Sequence, residues 1–192
     1  MPLHLYYVRH GETEWSKSGR HTGRTDLPLT EQGERNARRM GDRLKSVKFA
    51  RVFTSPRLRA RQTCGSAGLG GTAEVEEDLA EWDYGDYEGR RTEDIHRERP
   101  GWSLFRDGCP GGESTSQVSD RADRLIARLR KLDGNIALFS HGHFGRVLAA
   151  RWVELPVVDG ERFLLDTASL GAFAYEHDDP ASPVIALWNE SC

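Results

Sequence analysis

Two kinds of apolar pattern alternate along this chain. Short unbroken runs, Leu3 to Val8 and Asn135 to Ser140, read as buried strands, and Arg51 to Thr54 as a shorter one. Longer stretches repeat apolar residues every three or four positions, the stripe of an amphipathic helix. The first covers Thr30 to about Lys45, with Thr30 as N-cap and Ala37, Met40 and Leu44 on one face. A second opens at Ser55-Pro56 and runs to about Leu69. The clearest starts at the capping-box pair Ser114 and Gln117, carries Val118, Ala122, Leu125, Ile126, Leu129 and Leu132, and stops at Asp133-Gly134. A fourth, from about His143 to Leu155, sets Phe144, Val147, Leu148 and Trp152 on one side. Thr92 to Arg99 is a short polar helix ended by Pro100-Gly101, and Trp102 to Gly112 is irregular. Arg162 to Asp166, Leu170 to Glu176 and Val184 to Trp188 are expected as later strands. Strands alternating with helices predict a layered α/β domain, a single one over residues 1–192.

Composition excludes more than it identifies. The net charge of −3 gives no electrostatic footprint for nucleic acid. No apolar run approaches the ~20 residues of a membrane span. The apolar run before Arg9 is too short for a signal peptide and has no basic region ahead of it. Cys64, Cys109 and Cys192 are odd in number and lack metal-ligand spacing, so they read as reduced thiols. A soluble, cytoplasmic protein is expected, and a homodimer only as the commonest assembly.

The chemistry gathers where two of the apolar runs end. One stops in Arg9-His10-Gly11, the other in His141-Gly142-His143. Two such strands would place two imidazoles on one sheet edge, where open α/β sheets bind ligands. Histidine is a covalent nucleophile, arginine a fixed cationic fork for phosphate oxygens, and glycine lets the backbone approach a ligand. Together they point to attack by histidine on phosphorus. Of the alternating Arg57, Arg59 and Arg61, the two outer ones share a helical face and read as solvated. Arg59 falls in the first helical turn, where a phosphate meets free N–H groups. Between Glu81 and Gly89 four acids interleave with three aromatics, and one acid near a phosphate could act as a general acid.

With these motifs in order, the chain resembles the histidine phosphatase superfamily, also called phosphoglycerate-mutase-like. Arg9-His10-Gly11-Glu12-Thr13 with Trp15, Thr22-Gly23, Thr54-Ser55 with Arg59-Ala60 and Gln62-Thr63, Glu81 with Tyr84-Gly85, and Ser140-His141-Gly142 carry the likeness. The spelling is similar to short bacterial phosphatases and fungal sedoheptulose-bisphosphatase-like enzymes. The resemblance implies a three-layer sandwich, a mostly parallel central sheet with helices on both faces. It implies His10 as nucleophile, Arg9, Arg59 and His141 around the phosphoryl oxygens, and Glu81 as proton donor. It also implies Ser16, Thr22, Gly23, Tyr84 and Gly142 as substrate contacts, with no metal and no cofactor. His4, His21, His96, His143 and His177 are assigned to surface or packing, with the pocket wall as the alternative for His143.

The expected reaction is hydrolysis of small phosphorylated metabolites, sugar phosphates foremost. The alternative is a phosphoglycerate mutase. Mutases of the family are usually longer and carry a lysine where this chain has Thr92. A non-catalytic phosphate-binding module is the third reading, and the complete catalytic set argues against it.

Overall fold

The computed structural model describes residues 2–191, so Cys192 lies outside it. In chain order the elements are β1 (His4–Arg9), α1 (Glu14–Lys17), α2 (Glu31–Leu44), β2 (Phe49–Thr54), α3 (Leu58–Ser66), β3 (Ala73–Val75) and α4 (Thr92–Glu98). Then follow α5 (Leu104–Asp107), α6 (Thr115–Leu129), β4 (Asn135–Ser140), α7 (Gly142–Trp152), β5 (Ser169–Tyr175) and β6 (Pro183–Ser191). The strands form one sheet in the order β3-β2-β4-β1-β5-β6. β3, β2, β4 and β1 are mutually parallel, and β5 alone runs against its neighbours β1 and β6.

Side chains alternate across a strand, so each central strand feeds two cores. Leu5 and Tyr7 of β1 and Ile136 and Leu138 of β4 pack with Val118, Leu125 and Leu129 of α6 and Val147 and Leu148 of α7. Val8, Ala137 and Phe139 point the other way, against Met40 and Leu44 of α2 and Cys64 of α3. Helices therefore cover both faces, and the expected three layers are present.

Local signals set the helix starts. Thr30 caps α2 by accepting the Gly33 N–H, and Ser114 and Gln117 form the capping box of α6. Gly33 has a further reason: a Cβ there would lie 2.3 Å from the Glu12 carbonyl oxygen. Only a bare backbone lets α2 press this closely on the loop after β1.

One expected strand is absent. Val157–Arg162 is a 3-10 turn, and residues 163–166 run on without a ladder partner. Their carbonyls serve side chains instead: Trp188 Nε1–H donates to Leu164, and Arg9 Nη1–H to Leu165. The irregular stretch expected between Trp102 and Gly112 contains the single turn of α5.

Candidate active site

The site is built where β1, β2 and β4 end together. The His10 N–H donates to the Ser140 carbonyl, and the Ser55 N–H to the Phe139 carbonyl, each at 2.9 Å. These bonds bring Arg9, His10, Ser55 and His141 to one edge. The His10 and His141 rings lie 5.3 Å apart, centroid to centroid.

His10 Nδ1 sits 2.7 Å from the Gly11 carbonyl. A carbonyl only accepts, so Nδ1 carries the proton and Nε2 keeps its lone pair. Arg59 donates Nε–H to that Nε2 at 3.3 Å. Burial, then the charges of Arg59 and Arg9, push the His10 pKa well below 6.5 and keep the ring neutral.

Arg59 is completely buried. Its Nη2 donates to the carbonyls of Thr22 and Gly23, at 2.8 and 3.2 Å, and Nη1 to Thr25 at 3.1 Å. It thus holds the following loop while keeping its charge free of a carboxylate partner among the described residues. Arg61 is exposed, as expected. Arg57 is half-buried, with Nε enclosed and lacking an acceptor, which corrects the solvated reading. It is the extended N-cap of α3, so the helical phase that would pair it with Arg61 begins only at Leu58.

His141 Nε2 lies 2.7 Å from the Ser55 hydroxyl, and its Nδ1 is buried without a partner. The Tyr7 hydroxyl donates to the His141 carbonyl and accepts the His141 N–H. Burial, then Arg59, lowers the His141 pKa well below 6.5. Arg9 Nε is likewise enclosed without an acceptor. A Cβ on Gly142 would come within 3.1 Å of that nitrogen.

Glu81 sits at the start of α7. Its Oε1 accepts from the N–H groups of Trp82 and Phe144, at 2.9 and 2.8 Å, and its Oε2 from His143 at 3.1 Å. A helix N-terminus suits a carboxylate by its free donors and its dipole. Arg121 steadies the approach to it, donating to the carbonyls of Asp78 and Ala80 and pairing doubly with Glu113.

The family model of the histidine phosphatase superfamily, branch 1, matches residues 5–191. This chain belongs to the histidine phosphatase superfamily. It is an enzyme of the phosphatase class. An acid phosphatase of Mycobacterium tuberculosis is 46% identical over 95% of this chain and 92% of its own length. The sedoheptulose 1,7-bisphosphatase of Saccharomyces cerevisiae is 36% identical over 94% and 90%. A solved structure of a functionally characterised open reading frame from Mycobacterium tuberculosis superposes with a TM-score of 0.92 and 41% identity, covering 98% of this chain and 97% of its own.

In this histidine phosphatase the strand ends open into a cavity of about 210 Å³. Arg9, His10, Glu81, Thr22, Tyr84 and Gly142 line it. Ser16 also reaches the wall, but its hydroxyl accepts from Thr13 N–H and donates to the Thr13 carbonyl in the cap of α1. Gly23 stands behind the wall, its N–H given to the Glu88 carboxylate. Arg59 and His141 close the floor through His10 and Ser55.

Two further histidines line the wall, His143 as the alternative reading expected and His21 beyond its assignment to surface or packing. Of the two readings for it, surface or packing, His21 takes packing: it is buried and lies 4.7 Å from the Tyr84 ring. Burial pushes its pKa down to about 4. His143 Nδ1 and the Tyr84 hydroxyl are hydrogen-bonded at 2.6 Å. Arg146 was passed over. The available signal for Arg146 was spacing, since it follows Gly142 by four residues and shares its helical face.

Cys64 and Cys109 are free and buried, and burial pushes both thiols up to about 12. No described helix is long and apolar enough to cross a membrane.

Proposed function

We propose that this phosphatase hydrolyses phosphate monoesters of small metabolites, sugar phosphates foremost, through a phosphohistidine on His10. The observation that carries this reading is the neutral His10, whose unprotonated Nε2 faces the cavity wall and accepts from Arg59 Nε–H at 3.3 Å. Around it Arg9 Nε and His141 Nδ1 are buried and unpartnered. Buried polar atoms left unsatisfied cost about 1–3 kcal/mol each, a cost that bound phosphoryl oxygens would remove.

In the first step Nε2 attacks phosphorus in line. A P–N bond forms as the P–O bond to the leaving alkoxide breaks, and a proton from the Glu81 carboxyl goes to that oxygen. Arg9, Arg59 and His141 stabilise charge on the equatorial oxygens. In the second step Glu81 takes a proton from water as its oxygen attacks phosphorus, the P–N bond breaks, and inorganic phosphate leaves. No step calls on a metal, because guanidinium groups supply the positive charge. The cavity, about 210 Å³, is smaller than the ~300–1,000 Å³ of larger ligand sites, which favours a small phosphoester.

Thr92 lines the same cavity with its hydroxyl 3.3 Å from His21 Nε2, and supplies no charge for a phosphoglycerate carboxylate. That favours hydrolysis over mutase turnover, in keeping with what the tuberculosis and yeast relatives are named for. A cytoplasmic setting belongs to the same reading and accords with the unpaired Cys64 and Cys109.

The test is a metabolite-phosphate panel run in the presence of a metal chelator, with phosphate release and interconversion of 2- and 3-phosphoglycerate measured in parallel. Release much faster than interconversion is expected. Efficient interconversion with release slower by orders of magnitude would overturn hydrolysis.

A further inference from the structure

A second cavity, of about 400 Å³, adjoins the catalytic one, and Glu81 is the residue that lines both. No step of the proposed reaction uses it. Arg24, Arg57 and Arg121 line it together with Glu81, Asp83 and Glu113. These opposite charges are equal in number but do not pair off. Asp83 takes Arg24 at 2.7 Å. Glu113 takes Arg121 through two bonds, each of 2.7 Å. Glu81 is held by the N–H groups of Trp82, His143 and Phe144. Arg57 is the guanidinium left over.

Its isolation is complete on the protein side. Among the described residues no acceptor takes an N–H of the Arg57 guanidinium, and Nε is fully enclosed. The residue is half-buried, so water reaches only part of the group. Its charge also lies close to that of another arginine: burial lowers the Arg59 pKa, and the like charge of Arg57 adds to the lowering. A water molecule would accept from Nε but leave that repulsion in place, whereas an anion relieves both. Gln117, which lines the same cavity, gives its side-chain oxygen to the Ser114 N–H at 2.8 Å. Its amine is left without an acceptor among the described residues. A guanidinium and an amide amine only donate, so together they call for a ligand that only accepts, from more than one direction.

We propose that this second cavity is a binding site for a tetrahedral oxyanion, held by Arg57 and Gln117, and that the oxyanion is inorganic phosphate. Phosphate is what an enzyme of the phosphatase class sets free, and here it is set free on the other side of Glu81. The site takes no part of the substrate. It binds the released product apart from the cavity that His10 serves, and it fills at phosphate concentrations that the catalytic cavity alone does not account for.

The experiment titrates the full chain with inorganic phosphate and follows its backbone amides by nitrogen-15 NMR, with sodium chloride at equal ionic strength as the parallel arm. Saturable shifts are expected at Gly111, Gly112 and Gln117, which line the second cavity, with phosphate and not with chloride. Shifts at Gly11 and Gly142 report the catalytic cavity separately. Arg57→Gln is expected to abolish the first set and keep the second, and Arg57→Lys to restore part of the first. The proposal is overturned if wild-type protein shows no saturable shift at Gly111, Gly112 and Gln117, if chloride reproduces the shifts, or if they survive Arg57→Gln. The wild-type titration decides even where a variant fails to fold. No turnover enters the measurement, so its outcome is separate from that of the phosphohistidine reading.

Discussion

The Ser55 hydroxyl and His141 Nε2 lie 2.7 Å apart, both fully buried, at the ends of adjacent strands. Ser55 is thus the group that fixes the second imidazole. Ser55→Ala removes a buried partner, a loss of about 1–3 kcal/mol. Because it falls on a group proposed to face the phosphoryl oxygens, kcat/KM should drop roughly tenfold to a hundredfold. Steady-state kinetics on p-nitrophenyl phosphate, with a thermal melt alongside, checks this. An unchanged kcat/KM in a folded variant would show that His141 needs no such anchor.

His10→Ala is expected to lower turnover by on the order of 10⁴-fold or more, the scale of losing a covalent nucleophile. An alkaline detergent quench of wild-type enzyme during turnover should trap a phosphoenzyme that base leaves intact and acid hydrolyses. The variant should trap none.

Arg59 and Arg61 differ by two positions and by their whole environment, one completely buried and the other exposed. Arg59→Ala should reduce kcat/KM by several orders of magnitude and loosen the loop at Thr22, Gly23 and Thr25, whose carbonyls it holds. Arg61→Ala should stay within about tenfold, near 1.4 kcal/mol. Parallel kinetics decide, and equal losses would contradict the geometry.

Glu81→Gln should harm poor leaving groups most, because p-nitrophenolate needs no proton while an alkyl alkoxide does. The ratio of kcat/KM for p-nitrophenyl phosphate to that for a sugar phosphate should rise by at least about tenfold. A ratio left at the wild-type value would remove Glu81 from the role of general acid.

Acid should destabilise the fold through its buried histidines. His10, His21, His141 and His143 all have folded pKa values below 6.5, that of His21 about 4, with burial as the first cause. The unfolded chain therefore binds more protons below pH 6.5, and stability is lost as pH falls from there toward each folded value. The slope is about 1.4 kcal/mol per pH unit for each such group. Denaturant unfolding between pH 7 and 4.5 should show the decline, and His21→Gln should flatten it by about one group's share.

Much of this arrangement could be read from residues in order. The stripe from Val118 to Leu129 became α6, and the two runs ending in His-Gly became neighbouring strands with paired registers Arg9 and Ser140. The strand expected over 162–166 failed because Phe163, Leu164 and Leu165 alternate in burial, yet their carbonyls are claimed by Trp188 and Arg9. β3 went unseen because three residues beside a glycine-rich turn carry no period. The wall residues were hidden for another reason. His21 and Arg146 acquire meaning only from Tyr84 and from the carbonyls of Gly160 and Glu161, partners that chain order does not reveal.

The sheet order also has a consequence for synthesis on the ribosome. β1 is made first, but its two neighbours are β4 and β5, and the Tyr7 to His141 bond joins residues 134 apart in sequence. Until residues beyond 140 have left the exit tunnel, an apolar strand has no edge to join. Non-local pairing of this kind folds slowly and leaves unpaired strand edges open to other chains. Truncated nascent chains should therefore lean on a holding chaperone, and phosphatase activity should appear abruptly, only when the last third of the polypeptide is released.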